Sequence, residues 1–242
     1  MNHIVALSGG KDSTAMALRL REVEPRHYIY ICTPTGDELP EMDAHWHNLE
    51  NKLGQPIIRL ADSENPTIYD LIDQMHMLPN WRARWCTRIL KIELAQRFYE
   101  LIHPAIIYVG LRADEPDRKG NKLYDENIHQ RFPMQDWGWR IADVKNYLKQ
   151  KNIDIPRRTD CAMCFYQRID EWYMLWRDYP QYFERIEAIE KKLGHTLLSP
   201  GKWKNWPHAL HDLRKVFESG KIPSKIIHEK EICSDKCRAC SI

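Results

Sequence analysis

Apolar residues fall along this chain in two alternating rhythms. Short, mostly apolar runs at residues 4–7, 27–32, 56–60 and 105–110 read as buried strands. Between them, apolar residues spaced three and four apart predict helices over 14–20, 42–53, 67–76, 89–101 and 141–151. Gly54 ends the second of these, and Asn152 with Pro156 closes the last. Residues 78–87 read as an irregular, arginine-rich loop. Strand, helix and strand in succession make a β-α-β unit with a right-handed crossover. Its repetition predicts an α/β fold, a doubly wound, mostly parallel sheet flanked by helices. Beyond about Pro156 the strand signal stops. Residues 169–176, 180–193 and 209–218 then read as helices, and the tail is rich in cysteine. The expected organisation is an α/β domain over 1–156, with a helical, Cys-rich C-terminal extension over 157–242 packed on it or merged with it.

The first strand runs into Ser8-Gly9-Gly10-Lys11-Asp12-Ser13, and a helix follows. A strand, a glycine turn and a helix N-terminus aim free backbone N–H groups and the positive end of the helix dipole at one point. Gly9 and Gly10 let an anion approach the main chain. Ser8 and Ser13 add hydroxyl donors, and Lys11 adds a charge. The stretch reads as a phosphate cradle, and it lacks the Walker spacing G-x-x-x-x-G-K-[ST]. A second polar stretch, Val109-Gly110-Leu111-Arg112-Ala113-Asp114-Glu115-Pro116-Asp117-Arg118, leaves the strand at 105–110. Arginine forks suit phosphate oxygens, so Arg112 and Arg118 are expected at the same ligand; a solvated charged turn is the bland alternative.

Composition adds limits rather than identity. The chain has 242 residues, 43% hydrophobic and 29% charged, with a net charge of +2. That balance suits a globular domain, and no global field calls for nucleic acid or membrane. No stretch is long and apolar enough to span a bilayer, and the first strand follows Met1 without a signal peptide, so a cytoplasmic location is expected. There, seven cysteines (Cys32, Cys86, Cys161, Cys164, Cys233, Cys237 and Cys240) point to metal or redox chemistry rather than disulfides. Cys32 ends an apolar strand and reads as core. The loop Trp81-Arg82-Ala83-Arg84-Trp85-Cys86-Thr87-Arg88 mixes cations with aromatics, a composition that holds phosphates by charge and bases by stacking. His45 and His47 read as surface histidines.

Ser8-Gly9-Gly10-Lys11-Asp12-Ser13 resembles the PP-loop signature of the ATP pyrophosphatases. A narrower resemblance is to the phosphoadenosine-phosphosulfate (PAPS) reductase-like family of that superfamily. It rests on Gly110-x-Arg112-x-x-Glu115-x-x-Arg118, on Cys86 through Lys91, and on Pro133-Met134-Gln135-Asp136-Trp137 followed by Asp143-Val144-x-x-Tyr147 and Ile155-Pro156. Cys161-x-x-Cys164 falls where iron–sulfur members carry a cysteine pair. The resemblance spans about residues 4–168. It implies an adenine nucleotide α-hydrolase-like fold. Departures matter as well. The loop keeps the full form associated with ATP itself, the family's Glu-Cys-Gly-[Leu/Ile]-His stretch is lacking, and Trp85-Cys86 replaces an adjacent cysteine pair.

The resemblance implies ATP held by Ser8, Gly9, Gly10, Lys11, Ser13, Gly110, Arg112 and Arg118, with Mg²⁺ near Asp12. Lys11, Asp12, Arg112 and Arg118 take the catalytic roles. Arg82, Arg84, Arg88 and Lys91 are the expected substrate-binding set. Cys86, Cys161 and Cys164 are expected to hold a [4Fe–4S] cluster, with Cys240 or another tail cysteine as fourth ligand, or with that position open. Zn²⁺, or reduced thiols with no metal, are the alternatives. The expected activity is adenylation of a substrate with release of pyrophosphate, supporting sulfur transfer to a nucleotide or nucleic acid. A sulfur donor such as a cysteine desulfurase, or an electron-donor protein, would then be the partner. The alternatives are PAPS or adenylyl-sulfate reduction, with Cys233 as nucleophile, and a nucleotide-sensing or nucleic-acid-binding module without turnover.

Overall fold

The computed structural model describes residues 1–61, 66–118, 120, 125–201 and 203–224. In chain order these are β1 (Asn2–Ala6), α1 (Lys11–Val23), β2 (Ile29–Cys32), α2 (Pro40–Leu53), β3 (Ile57–Arg59) and α3 (Ile68–Met75). Then come the short α4 (Trp85–Thr87), a π-helical segment (Arg88–Glu93), α5 (Leu94–Leu101), β4 (Ala105–Tyr108) and β5 (Ile128–Arg131). The remainder is helical: α6 (Pro133–Asp136), α7 (Ile141–Gln150), α8 (Ile169–Asp178), α9 (Pro180–Leu193) and α10 (Leu210–Glu218).

The five strands form one sheet in the order β3-β2-β1-β4-β5, and every pairing is parallel. Alternation along the strands sends Val5, Tyr30, Cys32 and Tyr108 to one face, where α1, α2 and α7 cover them with Met16, Leu20, Trp46, Val144 and Leu148. Ile4, Ile31 and Ile107 point to the other face, against Ala95 and Tyr99 of α5. Both faces are covered, as a parallel sheet requires. The chain winds outward from β1 through β2 to β3, then returns to β1's other side for β4. Strand order therefore reverses between β1 and β4, and open α/β sheets bind ligands outside the carboxyl ends at such a point.

A third apolar cluster joins Leu39, Ile68, Leu71, Ile72, Trp85 and Leu90 of the α/β part to Trp172, Phe183, Leu210 and Phe217 of the helices beyond it. The described residues after 157 form helices α8, α9 and α10, as expected. The Cys-rich character of this segment is not shown, because Cys233, Cys237 and Cys240 lie outside the described residues. β5 departs from the sequence reading. Ile128-His129-Gln130-Arg131 carries one strongly apolar residue and occupies an edge, where one side of the ladder needs no burial. No helix among the described residues is long and apolar enough to cross a membrane.

Candidate anion site at the carboxyl edge of the sheet

Gly10 is the N-cap of α1 in extended conformation and has no side-chain cap. The first N–H groups of the helix therefore face the turn rather than a capping oxygen. Gly9 needs its glycine twice over. Its φ is +86°, and a Cβ there would meet Trp46 Nε1 at 2.8 Å and Met42 Cε at 2.9 Å. Ser8 Oγ lies 3.0 Å from Ser13 Oγ and accepts from Gly10 N at 3.3 Å, while Ser13 Oγ donates to the Gly10 carbonyl at 3.2 Å. Two hydroxyls thus line the turn. Lys11 is buried, its Nζ 3.6 Å from Asp12 Oδ2.

The loop after β4 closes on this turn. Gly110 packs so tightly on α1 that a Cβ would stand 3.1 Å from Ser13 N and 3.2 Å from the Asp12 carbonyl carbon. Two residues on, Arg112 is buried and reaches Asp12 Oδ2 at 2.8 Å, Asp114 Oδ1 at 2.8 Å and Glu115 Oε1 at 3.5 Å. Arg118 reaches the same Glu115 oxygen at 3.0 Å. Two motifs about a hundred residues apart thus meet at the β1/β4 switch point. Burial pushes the Asp12 carboxyl above its ordinary value despite the neighbouring Lys11 and Arg112. Asp12 Oδ1 and Glu115 Oε2 are buried without hydrogen-bond partners.

α2 supports the turn from the side. His45 is buried, not on the surface, and its Nε2–H donates to the Gly9 carbonyl at 2.9 Å. Burial lowers its pKa, so the ring stays neutral in this role. Trp46 Nε1 donates to the Ser8 carbonyl at 3.3 Å. The signal was present in the sequence: His45 stands three residues after Met42 and four before Leu49, on the apolar stripe of α2. His47 is exposed, as expected.

The cysteine expectation needs correction. Cys161 and Cys164 share a turn, and a hydrogen bond between their thiols pushes Cys161 well up and holds Cys164 down. Cys86 is near enough to feel Cys164, yet burial is what mainly raises its thiol. The three do not assemble as ligands. Among the described residues no group of three or more His, Cys, Asp or Glu side chains is placed to hold a metal ion, and Cys240 lies outside them. Neither a [4Fe–4S] cluster nor Zn²⁺ is supported. The same finding removes Mg²⁺ at Asp12, whose Oδ2 already faces two cations. ATP as a bound cofactor loses its support with it, since no metal-binding group accompanies the loop. Cys32 is core, its thiol pushed up to about 12 by burial.

The four expected substrate cations diverge. Arg82 is exposed and stacks on exposed Trp81 at 4.7 Å, and Arg88 pairs with Glu93 at the surface. Arg84 turns inward over the Tyr166 ring at 5.6 Å. Lys91, on the π-helical segment, bears electrostatically on Cys86 and Cys161.

Sequence reading also missed Asp37, in the loop after β2. Its backbone carbonyl accepts from Ala162 N at 2.7 Å, and its Oδ2 from Met163 N at 2.7 Å. Tyr69 Oη donates to its other oxygen. Burial pushes this carboxyl to about 6. Asp37 thereby fastens the cysteine turn to the carboxyl edge of the sheet. A single Asp in a polar loop carries no periodic signal.

Comparison with known proteins gives one family match. The family described as phosphoadenosine phosphosulfate reductase domain matches residues 2–158. Among solved structures, a phosphoadenylyl-sulfate (PAPS) reductase from Candida auris in a phosphate complex is 14% identical, with a TM-score of 0.48 over 64% of this chain and 75% of that one. An NH3-dependent NAD synthetase from Campylobacter jejuni, in complex with nitrate, is 15% identical, with a TM-score of 0.34 over 94% of this chain and 90% of that one. No curated protein matches the sequence.

Proposed function

This chain belongs to the phosphoadenosine phosphosulfate reductase domain family, and from that premise we propose that it is an enzyme acting on a sulfated adenine nucleotide of the adenylyl sulfate class. One observation carries the reading: the glycine turn of β1 and the buried Arg112 of the β4 loop converge at the switch point of the sheet. Backbone N–H groups at the α1 N-terminus, the Ser8 and Ser13 hydroxyls and Lys11 bind the anionic end of the nucleotide. Arg112 stays charged and correctly aimed because Asp12, Asp114 and Glu115 brace it. Catalysis at such a site is mainly positioning and stabilisation of developing negative charge.

The reaction is reductive release of sulfite. A nucleotide sulfate and two thiols give the unsulfated nucleotide, hydrogen sulfite and a disulfide. The sulfur–oxygen bond to the nucleotide breaks, sulfur takes up two electrons, and the thiols lose two electrons and two protons. One proton goes to the nucleotide oxygen and one to sulfite. The thiols come from an external dithiol. The family favours this reading over adenylation with pyrophosphate release.

The test is turnover of adenylyl sulfate and of phosphoadenylyl sulfate with a dithiol reductant, read as sulfite, beside ATP read as pyrophosphate. Sulfite from either sulfated nucleotide, reduced at least tenfold in Arg112→Ala, is expected. No sulfite from either, with pyrophosphate from ATP or with no turnover at all, overturns the reading.

A further inference from the structure

Cys161 and Cys164 occupy a tight turn in which Cys164 N donates to the Cys161 carbonyl at 3.2 Å. Such a turn brings the two Cα atoms within about 7 Å, the reach of a disulfide. Their thiols are already hydrogen-bonded to each other, and both are free. The turn is also held rigidly. Asp37 takes two of its backbone N–H groups, the Gln167 side chain donates to the Ala162 carbonyl, and Gln167 N donates to the Cys164 carbonyl at 3.0 Å. Ala162 and Met163 between the cysteines are fully buried, so the turn cannot swing its sulfurs apart without opening the core.

A buried guanidinium lies behind the pair. Arg158 is 9% exposed, and its Nη2 donates to the Cys161 carbonyl at 2.7 Å. The nearest carboxylate oxygen is Glu171 Oε1 at 4.0 Å, and Arg158 Nε is buried without a hydrogen-bond partner. A guanidinium at that depth suits an anion beside it, and a thiolate is the anion this turn can supply. Arg84, stacked over Tyr166 just past the turn, brings a second inward cation whose Nε also lacks a partner.

We propose that Cys161 and Cys164 form a redox-active dithiol that closes to a disulfide by exchange with a small-molecule or protein disulfide. Cys161 is the half-buried residue of the pair, and Cys164 is 7% exposed. One sulfur of the pair, as its thiolate, attacks the incoming disulfide and displaces one of its thiolates, leaving a mixed disulfide. The other sulfur of the pair then attacks the first and displaces the second thiolate. One disulfide is reduced to two thiols, one forms in the protein, and the two protons of the pair pass to the departing thiolates. This inference does not rest on the reductase reading and survives if that reading fails.

The experiment equilibrates the full-length chain in mixtures of reduced and oxidised glutathione, quenches with an alkylating agent and maps the cysteines by mass spectrometry. A peptide pair joining Cys161 to Cys164, two hydrogens lighter than the dithiol and opening fully as reduced glutathione rises, is expected. Cys161→Ser and Cys164→Ser should each lose that crosslink completely, and the variant that keeps the first-attacking sulfur should trap one glutathione on it. Separate alkylation of both cysteines throughout the series overturns the proposal, as does pairing of either one with a different cysteine. Because the wild-type chain supplies the deciding readout, a variant that fails to fold does not blunt the test. Sulfite release is measured separately, so failure of either idea is visible without the other.

Discussion

At Gly110 the space for one methyl group is missing. A Cβ would press on the backbone of Ser13 and Asp12, which cannot swing away as the tip of a side chain can. Gly110→Ala is expected to destabilise the chain by about 1–3 kcal/mol. It should also weaken nucleotide binding, because the strain is relieved by moving the β4 loop and Arg112 off α1. Chemical denaturation and equilibrium titration check this; unchanged midpoint and affinity would show a slack contact. His45 gives the companion test. His45→Ala removes the donor to the Gly9 carbonyl and leaves that carbonyl unsatisfied, at a cost of about 1–3 kcal/mol. His45→Gln, which carries a donor of its own, should recover part of it. The phosphate-type residues were legible because glycine, hydroxyl and cation stand together in sequence. Asp37 and His45 were hard to read for a different reason: their work is done by backbone contacts to residues 126 and 36 positions away.

Along α9, Glu190 reaches into the loop that follows. Its two oxygens accept from Leu197 N and Leu210 N at 2.7 and 2.8 Å, and burial pushes the carboxyl to about 7. The raised value means that the folded state holds this proton where the unfolded chain has released it. Stability from Glu190 is therefore fully present below about 4.5 and declines as pH rises through about 7. Glu190→Gln lacks the titration, so the difference in unfolding free energy between variant and wild type should change across that window, by up to about 3 kcal/mol, and stay level above it. A difference that is flat from pH 4.5 to 7 would mean that the carboxyl titrates normally. At this scale the apolar rhythm located four strands and the helices other than the short α4 and α6. It missed β5, whose sequence lacks the rhythm. It also left α4 inside the loop at 78–87 and joined the π-helical segment and α5 into one helix, since a π turn shifts register by one residue without changing composition.

At the scale of the molecule, one apolar cluster runs from Leu39 and Ile68 to Phe183 and Phe217, across the boundary expected near 156. A chain cut after residue 156 would leave Leu71, Trp85 and Leu90 without the apolar partners contributed by α8 to α10. Full-length protein is expected to unfold in one cooperative transition, and the truncated chain to lose that transition or aggregate. Calorimetry decides; two resolved transitions in the full chain would separate the units. The boundary expected near 156 marks where the strand signal stops, and the same measurement tests whether packing stops there.

Strand order also sets a timetable for synthesis. β1 can pair with β2 once some thirty residues are free, but Asn2 to Val5 pair on their other side with Ala105 to Tyr108. A ribosome must therefore release more than a hundred residues before the central strand gains its second neighbour. Until then an apolar strand edge and the uncovered glycine turn stay open to other chains, the state that holdase chaperones bind. Arrest-peptide force measurements should show the main pulling event only after β4 has left the exit tunnel.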